Sequence, residues 1–154
     1  MTLPTPSKRW EQVTMDRITQ LPITDKGYDS IVVWVDKLSK KAIYAPTQTT
    51  ITAPELASLM YREVVRHHGV PKSIISDRDP LFTSHFWRSL WELTGTKLNM
   101  STAYHPQSDG QTERQNRTLE QYLRAHVNYH QNDWDKYLTS AEIAYNNSVN
   151  ALTG

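Results

Sequence analysis

The chain has 154 residues and a formal net charge of only +1. That length fits one domain with a real core, but the charge is modest for a protein that grips a polyanion by itself. With 38% hydrophobic residues, five Trp and eight Tyr it is not a disordered chain, and the absence of Cys excludes disulfides and thiolate-held zinc.

No apolar run approaches the ~20 residues of a bilayer span and no signal peptide is visible, so the chain reads as soluble and intracellular. There is no internal repeat or low-complexity segment. Residues 1–9 read as an extended Pro-containing linker, 10–150 as the single domain, and 151–154 as a truncated tail. From Asn146 onward the sequence fades into polar residues without a closing element, and both ends read as cuts through a longer polypeptide.

Trp10 to Ile18 is predicted as the first strand. Val13 and Met15 alternate with Thr14 and Asp16, which turns Asp16 away from the Val13 face. Ile31 to Val35 is a second strand and Lys41 to Ala45 a third, and the Gly27 loop suggests an antiparallel meander. Thr52-Ala53-Pro54-Glu55 is a capping box with Pro in the first turn. Leu56, Leu59, Met60, Val64 and His67 then follow helical spacing, until Gly69 and Pro71 stop the helix. Within the His67-His68 pair, His67 is read as packed and His68 as a surface residue.

Lys72 to Ser76 is a short strand with Asp77 at its carboxyl end, where ligands gather in open α/β sheets. Phe86, Trp87, Leu90 and Trp91 mark a second helix ended by Gly95, and Lys97 to Met100 a last strand. A polar loop from Ser101 to Gly110 leads into a helix of roughly 20 residues, with Ser108 and Gln111 as its capping box. Asp133-Trp134 opens a final helix with Trp134, Tyr137, Leu138, Ala141 and Tyr145 on one face. The order β-β-β-α-β-α-β-α-α indicates an α/β protein with a mixed five-stranded sheet flanked by helices.

Three carboxylates carry the chemistry: Asp16, Asp77 and Glu113. Sixty residues intervene between the first two and thirty-five between the last two. Three acids without a nucleophilic Ser or Cys constellation suggest divalent-metal phosphoryl chemistry, because magnesium and manganese prefer hard oxygen ligands. Two have near rivals. Asp79 shares a face with Asp77 in an extended stretch, so periodicity leaves the pair open, although a position before Pro80 suits a turn-former. Asp109 lies four residues before Glu113, and Asp109-Gly110 looks like turn and capping chemistry.

The stretches Met15-Asp16, Ile75-Ser76-Asp77-Arg78-Asp79 and Tyr104 to Arg114, with Val33 to Lys40 and His68-Gly69-Val70-Pro71, resemble the catalytic core of a retroelement integrase, closest to the gypsy class of LTR retrotransposons. The resemblance covers nearly the whole chain. It implies a ribonuclease-H-like fold and a D,D-35-E site in which Asp16, Asp77 and Glu113 are the catalytic residues and hold Mg²⁺ or Mn²⁺. It also implies the reaction: hydrolysis trims the 3′ ends of element DNA, and those ends then attack target DNA by two-metal in-line phosphoryl transfer. Two bound divalent ions would lift the effective charge to about +5.

Other positions follow from that frame. Arg117 and Arg124 share the polar face of the long helix with Glu113 and Glu120, so they either reach DNA phosphate or form intrahelical ion pairs. Tyr104 and Gln107, in the loop before Glu113, are read as DNA contacts, with loop packing as the alternative. Arg17 departs from the family, which has an apolar residue after the first Asp; a charge there must reach solvent or find a partner.

The resemblance also implies partners: double-stranded element-end DNA, target DNA, and further copies of the chain in a homodimer or larger assembly. Family members carry a zinc-binding N-terminal and a DNA-binding C-terminal domain that this sequence lacks, so the fragment is expected to be weakly active alone. The expected setting is the nucleus and a cytoplasmic virus-like particle, as part of a polyprotein, with no membrane role. The competing reading is a non-catalytic, host-captured core that binds DNA or protein.

Overall fold

The structure is a computed structural model that describes residues 7–100 and 132–153, with side chains described through 149. Five strands form one sheet in the order β3-β2-β1-β4-β5: β1 (Gln12–Ile18), β2 (Ser30–Asp36), β3 (Ala42–Thr47), β4 (Ser73–Ser76) and β5 (Lys97–Met100). β1, β2 and β3 are the antiparallel meander the sequence suggests, and β4 and β5 run parallel to β1. The first strand is shorter than predicted. Trp10 lies in a turn at φ 62, where its N–H donates to Oδ1 of the fully buried Asp36 at 2.8 Å.

One face of the sheet packs on α1 (Ala53–Met60) and α4 (His85–Thr94). Val13, Met15, Val32, Trp34 and Ile74 meet Leu56, Met60, Trp87 and Trp91 there. Thr52 closes the predicted capping box with Glu55, a device worth about 1 kcal/mol. After Met60 the helix widens into a π turn, Tyr61–Val65, before a last α turn, α2 (Arg66–His68). A π turn takes up one extra residue, so His68 occupies the place that His67 would hold in an unbroken helix. Both histidines are exposed, so His68 is the surface residue the sequence predicts while His67 is not packed; it is the exposed His68 ring that stacks on Trp10, at 4.4 Å and 12°. Gly69 then ends the helix at φ 85.

A short helical turn, α3 (Pro80–Thr83), precedes α4 and is capped by Asp79. Trp87 and Trp91 are fully buried, but Phe86 is 44% exposed. It sits on the second residue of α4, one position before the inward Trp87.

The other face packs on a 3-10 turn (Trp134–Tyr137) and α5 (Leu138–Thr153), with Trp134, Leu138 and Ala141 against Ile31, Val33, Val35, Ala42 and Tyr44. Trp134 Nε1 donates to the Pro22 carbonyl at 2.6 Å, tying this helix to the β1–β2 loop. The helix runs well past Asn146, where the sequence reading has the chain fading out, because Val149 extends the buried stripe of Leu138, Ala141 and Tyr145. α5 also covers the open edge of β3. Tyr44 N–H donates to Glu142 Oε1 (2.8 Å), Ala42 N–H donates to Asn146 Oδ1 (2.9 Å), and Asn146 Nδ2 donates back to the Ala42 carbonyl (3.0 Å). The next outward position is Pro46, which has no N–H to satisfy. Among the described residues no helix is long and apolar enough to cross a membrane.

Candidate active site at the carboxyl ends of β1 and β4

Asp16 lies on β1, and Asp77 directly follows β4. The parallel ladder pairs Gln12 with Ser73 and Met15 with Ser76, so one further step sets Asp16 against Asp77. Adjacent strands lie about 4.8 Å apart. The alternation that sends Val13, Met15 and Ile74 into the α1–α4 core assigns Asp16 and Asp77 together to the opposite face. Asp16 is half-buried and Asp77 exposed. Two carboxylates thus converge at the carboxyl ends of neighbouring parallel strands, on the face that α5 covers over β2 and β3.

Each carboxylate is oriented by local backbone. Asp16 Oδ1 accepts from the Arg17 N–H at 2.8 Å, and Asp77 Oδ1 accepts from the Asp79 N–H at 3.1 Å. Like charges this close repel, while hard anionic oxygens on two rigid strand ends match what Mg²⁺ and Mn²⁺ require. The donor set therefore fits such an ion. Among the described residues no group of three or more His, Asp or Glu could hold a metal. Glu113, the third predicted ligand, lies outside the described residues, as do Asp109, Tyr104, Gln107, Arg117 and Arg124.

Asp79, the rival of Asp77, is committed elsewhere. Arg17 Nε donates to its Oδ2 at 2.9 Å and Nη2 to its Oδ1 at 3.0 Å, a two-point clamp in which both side chains are largely buried. Arg17 Nη1 also donates to the Thr49 carbonyl at 3.3 Å. Asp79 Oδ1 further accepts from the Leu81 N–H at 2.9 Å as the cap of α3. The departure at position 17 has thus found a partner on the sheet face opposite Asp16. The sequence held one signal for it: a charge on an inward strand position demands an opposite charge, and the spare acid two residues after Asp77 is a short reach away.

The five-stranded mixed sheet with helices on both faces is the ribonuclease-H-like fold of retroviral integrase catalytic cores. The catalytic core domain of BIV integrase superposes with a TM-score of 0.64 at 22% identity, covering 88% of this chain and 82% of that one. The HTLV-2 integrase catalytic core domain in complex with magnesium, in its dimeric form, gives 0.64 at 21%, covering 87% and 84%. No family model matches the sequence. The chain is 40% identical over 149 residues to the Transposon Tf2-3 polyprotein of Schizosaccharomyces pombe, which spans 96% of this chain and 11% of that relative. The chain is thus homologous to a segment of the Tf2 retrotransposon polyproteins and has the fold of retroviral integrase catalytic cores, and a gypsy-class origin is consistent with the Tf2 likeness.

Proposed function

We propose that this chain is the catalytic core of a retrotransposon integrase, a polynucleotidyl transferase that trims the 3′ ends of element DNA and joins them to target DNA. The observation that carries the reading is the β1–β4 register, which brings Asp16 and Asp77 to neighbouring strand ends on one face. Asp16, Asp77 and Glu113 would hold two Mg²⁺ or Mn²⁺ ions; magnesium is the ion in the HTLV-2 core complex. When bound, the ions supply Lewis-acid stabilisation of charge on the scissile phosphate and make the attacking water or 3′-hydroxyl more acidic.

The chain's own residues supply placement. Rigid strand ends fix Asp16 and Asp77 so that little reorganisation is needed at the moment of reaction. Arg117 and Arg124 are proposed to hold DNA phosphates, and Tyr104 and Gln107 to contact the DNA ends. Serving two DNA ends calls for at least two copies of the chain, and the HTLV-2 core is described in dimeric form. As part of a polyprotein, the chain would act in a virus-like particle and then in the nucleus.

The test compares the parent with Asp77→Asn on a pre-branched DNA substrate with Mn²⁺. Asn keeps the oxygen that accepts from the Asp79 N–H, so the fold is preserved while the anionic ligand is lost. Cleavage or joining by the parent should fall more than about 100-fold in the variant, beyond the loss typical of a residue that only supports a ligand. Equal activity in the two proteins would sink the assignment, and an inert parent would favour the non-catalytic binding module.

A further inference from the structure

The Arg17–Asp79 clamp sits beneath the candidate site, and each of its residues also touches the site by its backbone: Arg17 N–H donates to Asp16 Oδ1 and Asp79 N–H to Asp77 Oδ1. Arg17 follows Asp16 on β1, so their side chains leave the strand on opposite faces. The guanidinium holds both Asp79 oxygens at 2.8–3.0 Å, with side-chain exposures of 10% for Arg17 and 15% for Asp79. At that burial the pair is poorly screened, and its planar two-point geometry is directional in a way a lysine contact is not. Asp79 in turn presents its N–H to Asp77 Oδ1 at 3.1 Å, and its own carboxylate caps α3.

The segment Asp77-Arg78-Asp79 leaves the sheet just where two like charges meet. Repulsion between Asp16 and Asp77 favours letting this segment swing outward. A cation anchored on the neighbouring strand, bonded to Asp79, opposes that motion from the other face.

We propose that Arg17 is a positioning residue that acts through Asp79 to hold the Asp77 carboxylate beside Asp16. It touches neither substrate nor metal. Its effect on metal affinity rests on the function proposed above; its effect on the 77–79 segment does not.

The experiment uses the full 154-residue chain as parent and as Arg17→Phe, Arg17→Lys and Asp79→Asn, each checked for folding by circular dichroism. Two quantities are read. The first is Mn²⁺ affinity by titration calorimetry. The second, without metal, is hydrogen exchange of the Asp79 amide relative to core amides such as Val33. Arg17→Phe should weaken Mn²⁺ binding about 10- to 100-fold, the range for residues that orient a metal ligand, and should speed Asp79 exchange without matching acceleration at Val33. Arg17→Lys keeps the charge but loses the two-point geometry, so it should fall between. Where Arg17→Phe does not fold, Arg17→Lys and Asp79→Asn carry the comparison.

A merely structural ion pair would lower the melting temperature and leave both readouts at their parental values in the folded protein; that result overturns the proposal. If the parent binds no Mn²⁺ yet the variants still lose Asp79 protection, the positioning contact stands and the metal reading of the site fails.

Discussion

Along the outer edge of β3, the N–H groups of Ala42 and Tyr44 point away from β2, and each meets a side chain of α5. At the carboxyl ends of β1 and β4 the sheet instead gathers two acids on one face. The edge spends its polar side chains on closing backbone valences, which keeps an open strand from pairing with another chain. The strand ends place like charges side by side, an arrangement that costs stability unless a cation offsets it. One region answers to folding and the other to a ligand. Substitutions in the two should therefore separate stability from activity.

The largest expected contrast comes from one change at each place. Asp77→Asn should remove metal-dependent DNA joining while leaving the thermal midpoint within about 2 °C of the parent, because its acceptor oxygen is retained. Glu142→Ala should do the reverse. It orphans the Tyr44 N–H, which costs about 1–2 kcal/mol and lowers the midpoint by about 3–6 °C for a chain of this size, with joining per folded molecule unchanged. Asn146→Ala should behave likewise, since it loses both bonds to Ala42. If Glu142→Ala abolishes joining in fully folded protein, the edge and the site are coupled and the contrast breaks.

The regions also differ in how far the sequence announces them. Asp77 at the end of an apolar strand, the Thr52–Glu55 capping box and the meander all rest on signals within a few residues, and all are legible. The cover over β3 joins residues about a hundred positions apart, and no local pattern marks Glu142 or Asn146 as its partners. The Arg17–Asp79 clamp spans 62 positions; only the demand for a partner was legible, not its identity. The π turn was missed for a different reason. Periodicity assumes 3.6 residues per turn, and one extra residue moves the position that meets Trp10 from His67 to His68 without altering composition. Glu113 and the DNA-contact candidates remain sequence proposals, because they lie outside the described residues.

Acid–base titration sharpens the contrast between a carboxylate that closes an edge and one that pairs with a lysine and nearby backbone N–H groups. Burial, reinforced by the charge of Glu63, raises the Glu142 pKa, although the Tyr44 N–H partly opposes this. A carboxyl that holds its proton more tightly when folded contributes stability below the ordinary value of 4.5, and that contribution is lost as pH rises through the folded pKa. Glu142→Gln has no proton to lose, so the parent should lose stability relative to this variant as pH rises across that window. Glu11 runs the other way. Lys72 first, then the backbone N–H groups of Ser7 and Lys8, hold it at about 2. Its contribution is present above 4.5 and is lost as pH falls toward 2. Urea denaturation of the parent, Glu11→Gln and Glu142→Gln from pH 2 to 7 reads both slopes; parallel curves for the two variants would contradict these assignments.

The smallest expected effect lies where the covered edge meets the helix with the π turn, in a cavity of about 360 Å³ lined by Trp10, Lys41, His68 and Glu142. Burial, and then the charge of His67, lowers the His68 pKa, while Asp36 partly offsets both. Replacing His67 by Gln removes the second cause and leaves the first, so the His68 pKa should rise yet stay below the ordinary value. Trp10→Ala removes the ring stacked on His68 and should raise it further. Ring-proton shifts followed by NMR across pH 4 to 8 measure both changes. The order of the two variants is the informative part, because an unbroken helix would put His67, in place of His68, against Trp10. A His67 that titrates low while His68 titrates normally would mean that the extra residue of the π turn is absent in solution. The stripe would then run through His67, as an uninterrupted period requires.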